Sequence, residues 1–332
     1  MKKISIVIPT YNEKAYLLDL LESISKINYP VNNFEVIVVS DHATDGTATA
    51  VSDSYPIVRI IDLDTNQGRY KARKLGAEAT RFDNILFLDS RTLVDPDILN
   101  AIDQSDAKAI NGVVESGNPD NPYNIFFHSI RRAIYPKFYK SDQKDIKITE
   151  KNFESLPKGT TVFYVEKEIL FKAYNDLKSL DMGKLSSDDT KLIKAISKYT
   201  PITLHPKVKI THFIRSSFLD NFIHLIWRGS TFIDFYFEPS KRLFWLVILL
   251  PLLCIIGFIL TLIFLSPSWY TVVSILFVID LLLACYLSTS IREFLHIFYM
   301  IPVSSLAFYL GILRGIFLSI FTQRKNKQSK IE

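Results

Sequence analysis

The sequence predicts an α/β domain built on a Rossmann-like, mostly parallel sheet, followed by an α-helical transmembrane or interfacial region. Three observations carry that expectation. Short apolar runs alternate with helix-period patterns through the first half of the chain. Polar clusters follow the carboxyl ends of the predicted strands, where ligands of such sheets bind. Finally, between Leu243 and Phe321 the only charged residues are Asp280, Arg292, Glu293 and Arg314, whereas residues 1–242 have ordinary globular composition.

Taken in order, Ile4–Ile8 reads as a buried strand closed by Pro9, with Leu17, Leu18, Leu21 and Ile24 following at helical spacing. Glu35–Val39 is a second strand, followed by a polar turn and a helix from about Thr47. Ile57–Leu63 is a third strand, Gly68–Thr80 a helix, and Asn84–Leu88 a fourth strand. Continuous apolar strands of this kind imply a sheet covered on both faces. Beyond them, Ala107–Val114, Thr161–Val165 and Lys207–Phe213 read as strands, and Tyr123–Tyr139 and Asp188–Lys198 as helices. Ser141–Lys151 reads as a charged loop.

The expected division is a domain over 1–215, amphipathic interfacial helices over 216–242, a membrane region over 243–323 and a basic cytoplasmic tail over 324–332. Two spans, 243–265 and 269–287, are joined by a Ser-Pro-Ser turn. Segment 294–321 contains Pro302 and Arg314, and an arginine at bilayer depth costs about 2.5–3.5 kcal/mol on insertion scales. Lys241 and Arg242 precede the first span, Arg292 follows the second, and Arg324, Lys325, Lys327 and Lys330 end the chain. The positive-inside rule puts all of these in the cytoplasm when 294–321 lies in the interface or re-enters. The expectation is a multi-pass cell-membrane protein whose first domain is cytoplasmic. Asp280, within the second span, is expected to make a polar contact to a neighbouring helix.

The net charge of +5 is too mild and scattered for a nucleic-acid partner, and a basic excess beside an apolar region suits anionic membrane lipids. Cys254 and Cys285 both lie in the apolar region and form neither a disulfide framework nor a zinc pattern. The apolar run before Pro9 is too short for a signal peptide.

Four clusters carry the chemistry: Pro9-Thr10-Tyr11-Asn12-Glu13, Ser40-Asp41 through Thr47, Asn66-Gln67-Gly68-Arg69, and Asp89-Ser90-Arg91. An aromatic at a strand end can stack on a base, and a carboxylate can accept the N3 proton of uracil. A basic residue near the glycine can meet a diphosphate, and a carboxylate after the fourth strand can bind a divalent cation bridging it. Singly, each has a bland alternative: a turn and helix N-cap for Asp41 and Asp45, a plain loop for Asn66 and Gly68, a solvated acid for Asp89.

The order and spacing of SIVIPTYNE, VIVVSDHATDGT, NQGRYKARKLGA and ILFLDS, with SSDDTKL, KITHF and the WRG of Trp227–Gly229, resemble glycosyltransferase family 2, whose members are inverting and have the GT-A fold. The resemblance covers roughly residues 3–230, and the tail resembles members with C-terminal membrane helices. It implies that Pro9, Tyr11 and Glu13 hold the nucleoside and that Asp41 reads uracil. Asn66, Gly68 and Arg69 fall in the donor loop, and Asp89 matches the first acid of an Asp-x-Asp motif for Mn²⁺ or Mg²⁺. It further implies that the second acid of Asp188-Asp189 is the catalytic base, that Asp188 belongs to the donor site, that His212 completes the metal shell as in some members, and that Arg228 lies near the diphosphate. An acid at Asp189 suits inversion, which needs a base for the acceptor hydroxyl; helix capping is its bland alternative.

Two departures stand out. Position 91 is arginine where the family's second metal-binding acid usually sits, which either weakens the cation site or replaces part of it. His42-Ala43 replaces the usual Gly-Ser. The expected activity is transfer of a sugar from a nucleotide donor, UDP-linked, to a lipid-linked or glycan acceptor in cell-envelope polysaccharide synthesis. Its alternatives are transfer to a polyprenyl phosphate and a non-catalytic, membrane-anchored nucleotide-sugar-binding scaffold. The Gln-x-x-Arg-Trp motif of processive synthases is missing from the sequence, which favours single additions.

Overall fold

The computed structural model describes residues 1–136, 138, 146–178, 186–236 and 269–328. They divide into two units: 1–119 with 134–214, and 120–133 with 215–332.

The first unit is organised by β1 (Ile4–Thr10), β2 (Phe34–Ser40), β3 (Arg59–Asp62), β4 (Asn84–Leu88), β5 (Thr92–Val94), β6 (Ala109–Ser116), β7 (Ile146–Ile148), β8 (Val162–Glu166) and β9 (Ile202–His212). They form one mixed sheet in the order β3-β2-β1-β4-β8-β6-β9-β5, with β7 on β9. The β3-β2-β1-β4 half is parallel, as the strand–helix alternation predicts. Beyond β4 the sheet is mixed: β8 runs antiparallel to both β4 and β6, β9 parallel to β6, and β5 and β7 antiparallel to β9. The carboxyl ends of β1, β2, β3, β4, β6 and β9 therefore share one edge.

Helices α1 (Lys14–Ser25), α2 (Thr47–Ser54), α3 (Arg69–Glu78) and α4 (Ile98–Asp103) follow β1, β2, β3 and β5. Strand alternation divides the core. Ile4, Ile6, Ile8, Val36, Val38, Leu86 and Leu88 pack with Leu17, Leu20 and Leu21 of α1 and Ile98, Leu99 and Ile102 of α4. Ile37 and Val39 pack with Ala72 of α3 on the other face. Each fully buried Ile or Leu contributes about 1.5–3 kcal/mol.

Several strand boundaries differ from expectation, and two of the differences have identifiable reasons. β1 continues through Pro9 to Thr10, because the β4 ladder ends at Val7 opposite Phe87 and only β2 flanks Pro9. β9 begins five residues before Lys207 because its ladder with β6 shifts register between Gly112 and Val113, which accommodates Pro206.

The second unit contains nearly all of α5 (Pro122–Ile134); α6 (Lys167–Asp176) and α7 (Asp188–Ser197) belong to the first. The rest of the second unit is α8 (Phe218–Tyr236), α9 (Trp269–Leu287) and α10 (Ile291–Gln328). Within it, Arg132 donates to the Leu287 carbonyl at 2.7 Å and to Glu293 at 2.9 Å, and Arg292 pairs with Asp120 at 2.7 Å. α8 and α10 meet backbone to backbone. A Cβ on Gly229 would lie 2.2 Å from the Phe308 carbonyl oxygen, one on Gly311 2.1 Å from that of Ile226. Ser230 Oγ donates to the Gly311 carbonyl at 3.0 Å. Small residues permitting such approach are characteristic of helix packing in membranes.

Among the described residues one helical segment, Ile291–Leu318, is long and apolar enough to cross a membrane, and Val273–Leu287 is a shorter apolar helix. Segment 294–321 lies inside α10, which continues through Pro302. The expected span 243–265 lies outside the described residues. Asp280 keeps Oδ1 buried with no hydrogen-bond partner among the described residues.

Helix α3 approaches the sheet closely at Gly76, where a Cβ would stand 2.4 Å from Val7 Cγ1 and 3.0 Å from Val39 Cγ2. Gly76→Val should destabilise the protein by about 1–3 kcal/mol through overpacking, read as a lowered denaturant midpoint at unchanged m-value.

Candidate functional site

The loops at the carboxyl edge are tied together before any ligand is considered. Asn12 Oδ1 accepts the Thr44 N–H at 2.8 Å, joining the loop after β1 to the loop after β2. Asp45 Oδ2 accepts the Lys14 N–H at 3.0 Å, and its Oδ1 accepts the N–H and hydroxyl of Thr47. One carboxylate thus serves the amino ends of both α1 and α2, which is the capping alternative for Asp45. Burial pushes its pKa up, but the bonds from Thr47 and Lys14 leave it lowered. Asn12 and His42 have positive φ, 52° and 61°. Left-handed backbone costs a residue with a Cβ about 1–2 kcal/mol, so His42 bears strain. Its Nδ1 lies 3.3 Å from the Leu63 carbonyl oxygen.

Asp41 is buried at the end of β2, and its two oxygens accept the N–H groups of Gln67 at 2.6 Å and Gly68 at 2.8 Å. The loop after β3 is therefore shaped around Asp41. Gly68 has φ 90° and ψ 158°, a conformation essentially restricted to glycine. A carboxylate has about four acceptor positions, so Asp41 retains capacity for a further donor. Asn66 sits half-buried in the same loop, Tyr11 is exposed beyond β1, and Pro9 is buried in β1 opposite Val39.

A residue outside the sequence expectations, Arg73 of α3, organises the centre. It is among the largest fully buried side chains. Its Nη2 pairs with Asp89 Oδ1 at 2.7 Å, and its Nη1 with Asp189 Oδ1 at 2.7 Å and Asp188 Oδ2 at 3.4 Å. Arg69 Nη2 lies 3.7 Å from Asp188 Oδ1. Burial works against the Arg73 charge, but Asp189, Asp89 and Asp188 raise its pKa above an ordinary arginine's. Asp189 Oδ1 also accepts the Thr160 hydroxyl at 2.6 Å. Both bonds fall on Oδ1; Oδ2 has no protein donor among the described residues, and the side chain is 32% exposed. Burial pushes the Asp189 pKa up, yet the charges of Arg73 and Arg69 and the Thr160 bond bring it below the usual aspartate value. Asp188 goes the other way, raised by burial and by Asp189. Both acids occupy the first turn of α7, where the helix dipole favours them.

Arg91 and Glu13 form a second pair, with Arg91 Nε donating to Glu13 Oε1 at 2.6 Å and the Ser90 hydroxyl donating to Oε2. The Arg91 guanidinium lies over the Tyr16 ring, 4.4 Å from its centroid. His212 ends β9 opposite Thr92 and Ser116, so the fold brings its backbone beside the Asp89–Arg91 segment. Arg228 belongs to the second unit, on α8, with Nε 3.1 Å from His224 Nε2 and its guanidinium 5.6 Å from the Phe127 ring centroid.

Among the described residues no three His, Cys, Asp or Glu side chains are grouped to hold a metal ion. The donor set expected for Mn²⁺ or Mg²⁺ is also chemically unsuited. Asp89 is already paired with a buried arginine, and the residue two places on is a cation. These residues do not fit a divalent-cation site.

Residues 5–154 match the family model Glycosyl transferase family 2. They form a family 2 glycosyltransferase domain. An uncharacterised glycosyltransferase of Haemophilus influenzae is 36% identical over 106 residues, 31% of this chain and 35% of that protein. The poly(ribitol-phosphate) β-N-acetylglucosaminyltransferase TarS of Staphylococcus aureus is 33% identical over 102 residues, 30% of this chain and 18% of that protein. The matches thus span well under half the length of these relatives. A mannosyltransferase from Pyrobaculum calidifontis, solved with GDP-Man and Mn²⁺, aligns over 95% of this chain and 86% of its own with TM-score 0.54 and 16% identity. That likeness shows the fold, the GT-A architecture. Within the family 2 domain the signal that could have revealed Arg73 is its place on the buried side of α3 among Ala72, Gly76 and Ala77.

Arg73→Met should cost the family 2 domain about 3–5 kcal/mol, because it leaves carboxylates without their buried counter-charge. Denaturant unfolding of the purified chain measures this, and Arg91→Met should cost distinctly less.

Proposed function

We propose that the chain transfers a sugar from a nucleotide donor to an acceptor hydroxyl with inversion, Asp189 acting as base. The observation that carries this reading is the asymmetry of Asp189. Oδ1 is fixed by Arg73 and Thr160 while Oδ2 is open, at the same sheet edge as Asp41 and the Gly68 loop. A carboxylate so held is ionised and oriented before the acceptor arrives. Its open oxygen takes the hydroxyl proton as the hydroxyl oxygen attacks the anomeric carbon and the nucleoside diphosphate leaves. The amino ends of α1, α2 and α3 all meet this edge and favour the diphosphate's negative charge.

A UDP-linked donor is supported by Asp41, whose remaining acceptor capacity suits the N3 proton of uracil. A lipid-linked or glycan hydroxyl is favoured over a polyprenyl phosphate as acceptor, because a phosphate needs no base. The poly(ribitol-phosphate) relative favours a cell-envelope polymer. Membrane attachment through the second unit is supported by Ile291–Leu318, and the basic residues near both of its ends suit anionic lipid head groups.

Detergent-purified protein should release UDP from a UDP-sugar when supplied with acceptor, and Asp189→Asn should lower turnover about 10²–10⁴-fold with donor binding retained. Equal turnover by the variant would remove Asp189 as the base, and donor binding without turnover by the wild type would favour the scaffold reading. In the free enzyme the acid limb of kcat/KM should lie below the ordinary aspartate value, since only ionised Asp189 is a base and its pKa is lowered. Bound diphosphate adds negative charge, so the acid limb of kcat should lie at higher pH than that of kcat/KM.

A further inference from the structure

We propose that Arg91 stands in for the divalent cation, so that the diphosphate of the donor is bound by a fixed guanidinium and without a metal ion. This rests on the donor reading above and extends it.

The guanidinium is held from several sides. Its Nε donates to Glu13 Oε1 at 2.6 Å, and its plane lies over Tyr16 with Cζ 4.4 Å from the ring centroid. The Arg91 backbone is fixed as well, its carbonyl accepting the Phe213 N–H at 2.9 Å from the end of β9. Glu13 is itself kept in place by the Ser90 hydroxyl. These contacts use one of the five N–H donors of an arginine. The four on Nη1 and Nη2 have no protein acceptor among the described residues, and the side chain is 19% exposed. A planar donor pair oriented in this way matches two oxygens of a phosphate group, the geometry arginine serves better than any other side chain.

The acids nearby are committed elsewhere. Asp89 faces Arg73 at 2.7 Å, Asp188 and Asp189 face the same guanidinium, and Glu13 faces Arg91. A dication entering here would have to displace an arginine from its carboxylate and lie beside two others. The diphosphate, by contrast, brings the charge that this arrangement of arginines lacks. Glu13 neutralises Arg91 in the free protein; because it touches only Nε, its role toward the diphosphate is to orient the guanidinium.

The test is calorimetric titration of the detergent-purified full chain with UDP, in Mg²⁺, in Mn²⁺ and in chelator, for the wild type, Arg91→Met and Arg91→Asp. Wild-type affinity should be the same in all three within about threefold. Arg91→Met should weaken UDP about 10–100-fold in every condition, the loss expected for charge-assisted hydrogen bonds. Arg91→Asp should bind poorly in chelator and regain at least about tenfold with Mn²⁺, since it offers a second carboxylate beside Asp89. A tenfold or greater loss of wild-type affinity on chelation overturns the proposal, as does wild-type affinity in Arg91→Met. The wild-type comparison needs no variant to fold. Wild type that binds UDP in no condition overturns the uridine donor reading and this inference with it, whereas metal-dependent binding overturns this inference alone.

Discussion

Much of this site depends on one buried guanidinium facing three carboxylates. Arg73 draws Asp89 from the end of β4 and the Asp188-Asp189 pair from the start of α7 to a single point under α3. None of those acids is adjacent in sequence to another strand end, and without the arginine their mutual repulsion would drive them apart or protonate them. Its Nε is buried with no hydrogen-bond partner among the described residues, a defect costing about 1–3 kcal/mol. A side chain chosen for stability alone would not leave that atom unpaired. The arrangement is better understood as positioning, in which Arg73 keeps Asp189 ionised and fixes which of its oxygens is open.

The same sheet offers a contrast. At the amino edge Glu35 accepts the Ser5 hydroxyl at 2.6 Å, the Arg81 Nε at 2.9 Å and the Arg81 N–H at 2.7 Å. That buried acid has three of its acceptor positions filled by protein donors and ties β1 to β2 and the loop after α3. At the carboxyl edge Asp41 and Asp189 are anchored by part of their acceptor capacity and keep the rest. Polarity of the strands alone separates the two roles, as expected when helix amino ends and loops gather on one side of a sheet.

The parallel half of the sheet was legible because its strands are continuous apolar runs buried on both faces, and Asn84–Leu88 emerges with the bounds expected. The three residues of β5 are too few for any periodicity, and α6 was hidden because Lys167, Glu168 and Lys172 break up its apolar stripe. Asp41, Gly68, Asp89 and Asp189 could be read from strand ends and from a family resemblance. Arg73 could not, because it lies in a run with Arg69, Lys71 and Lys74 that resembles a solvated face. Only the small residues Ala72, Gly76 and Ala77 mark that face as buried, and a charge among them is uncommon enough to be a signal. The Arg91–Glu13 pair was half legible: the substitution at 91 was visible, but its partner lies in another loop.

The most direct measurement is a pair of double-mutant cycles on unfolding free energy, Arg73→Met with Asp189→Asn and Arg73→Met with Asp89→Asn, in the purified chain without nucleotide. The account predicts coupling of at least about 1 kcal/mol in both cycles, because each acid shares the one buried counter-charge. Additivity within about 0.5 kcal/mol in both would mean that Arg73 does not hold the site together, and would contradict the account at its base.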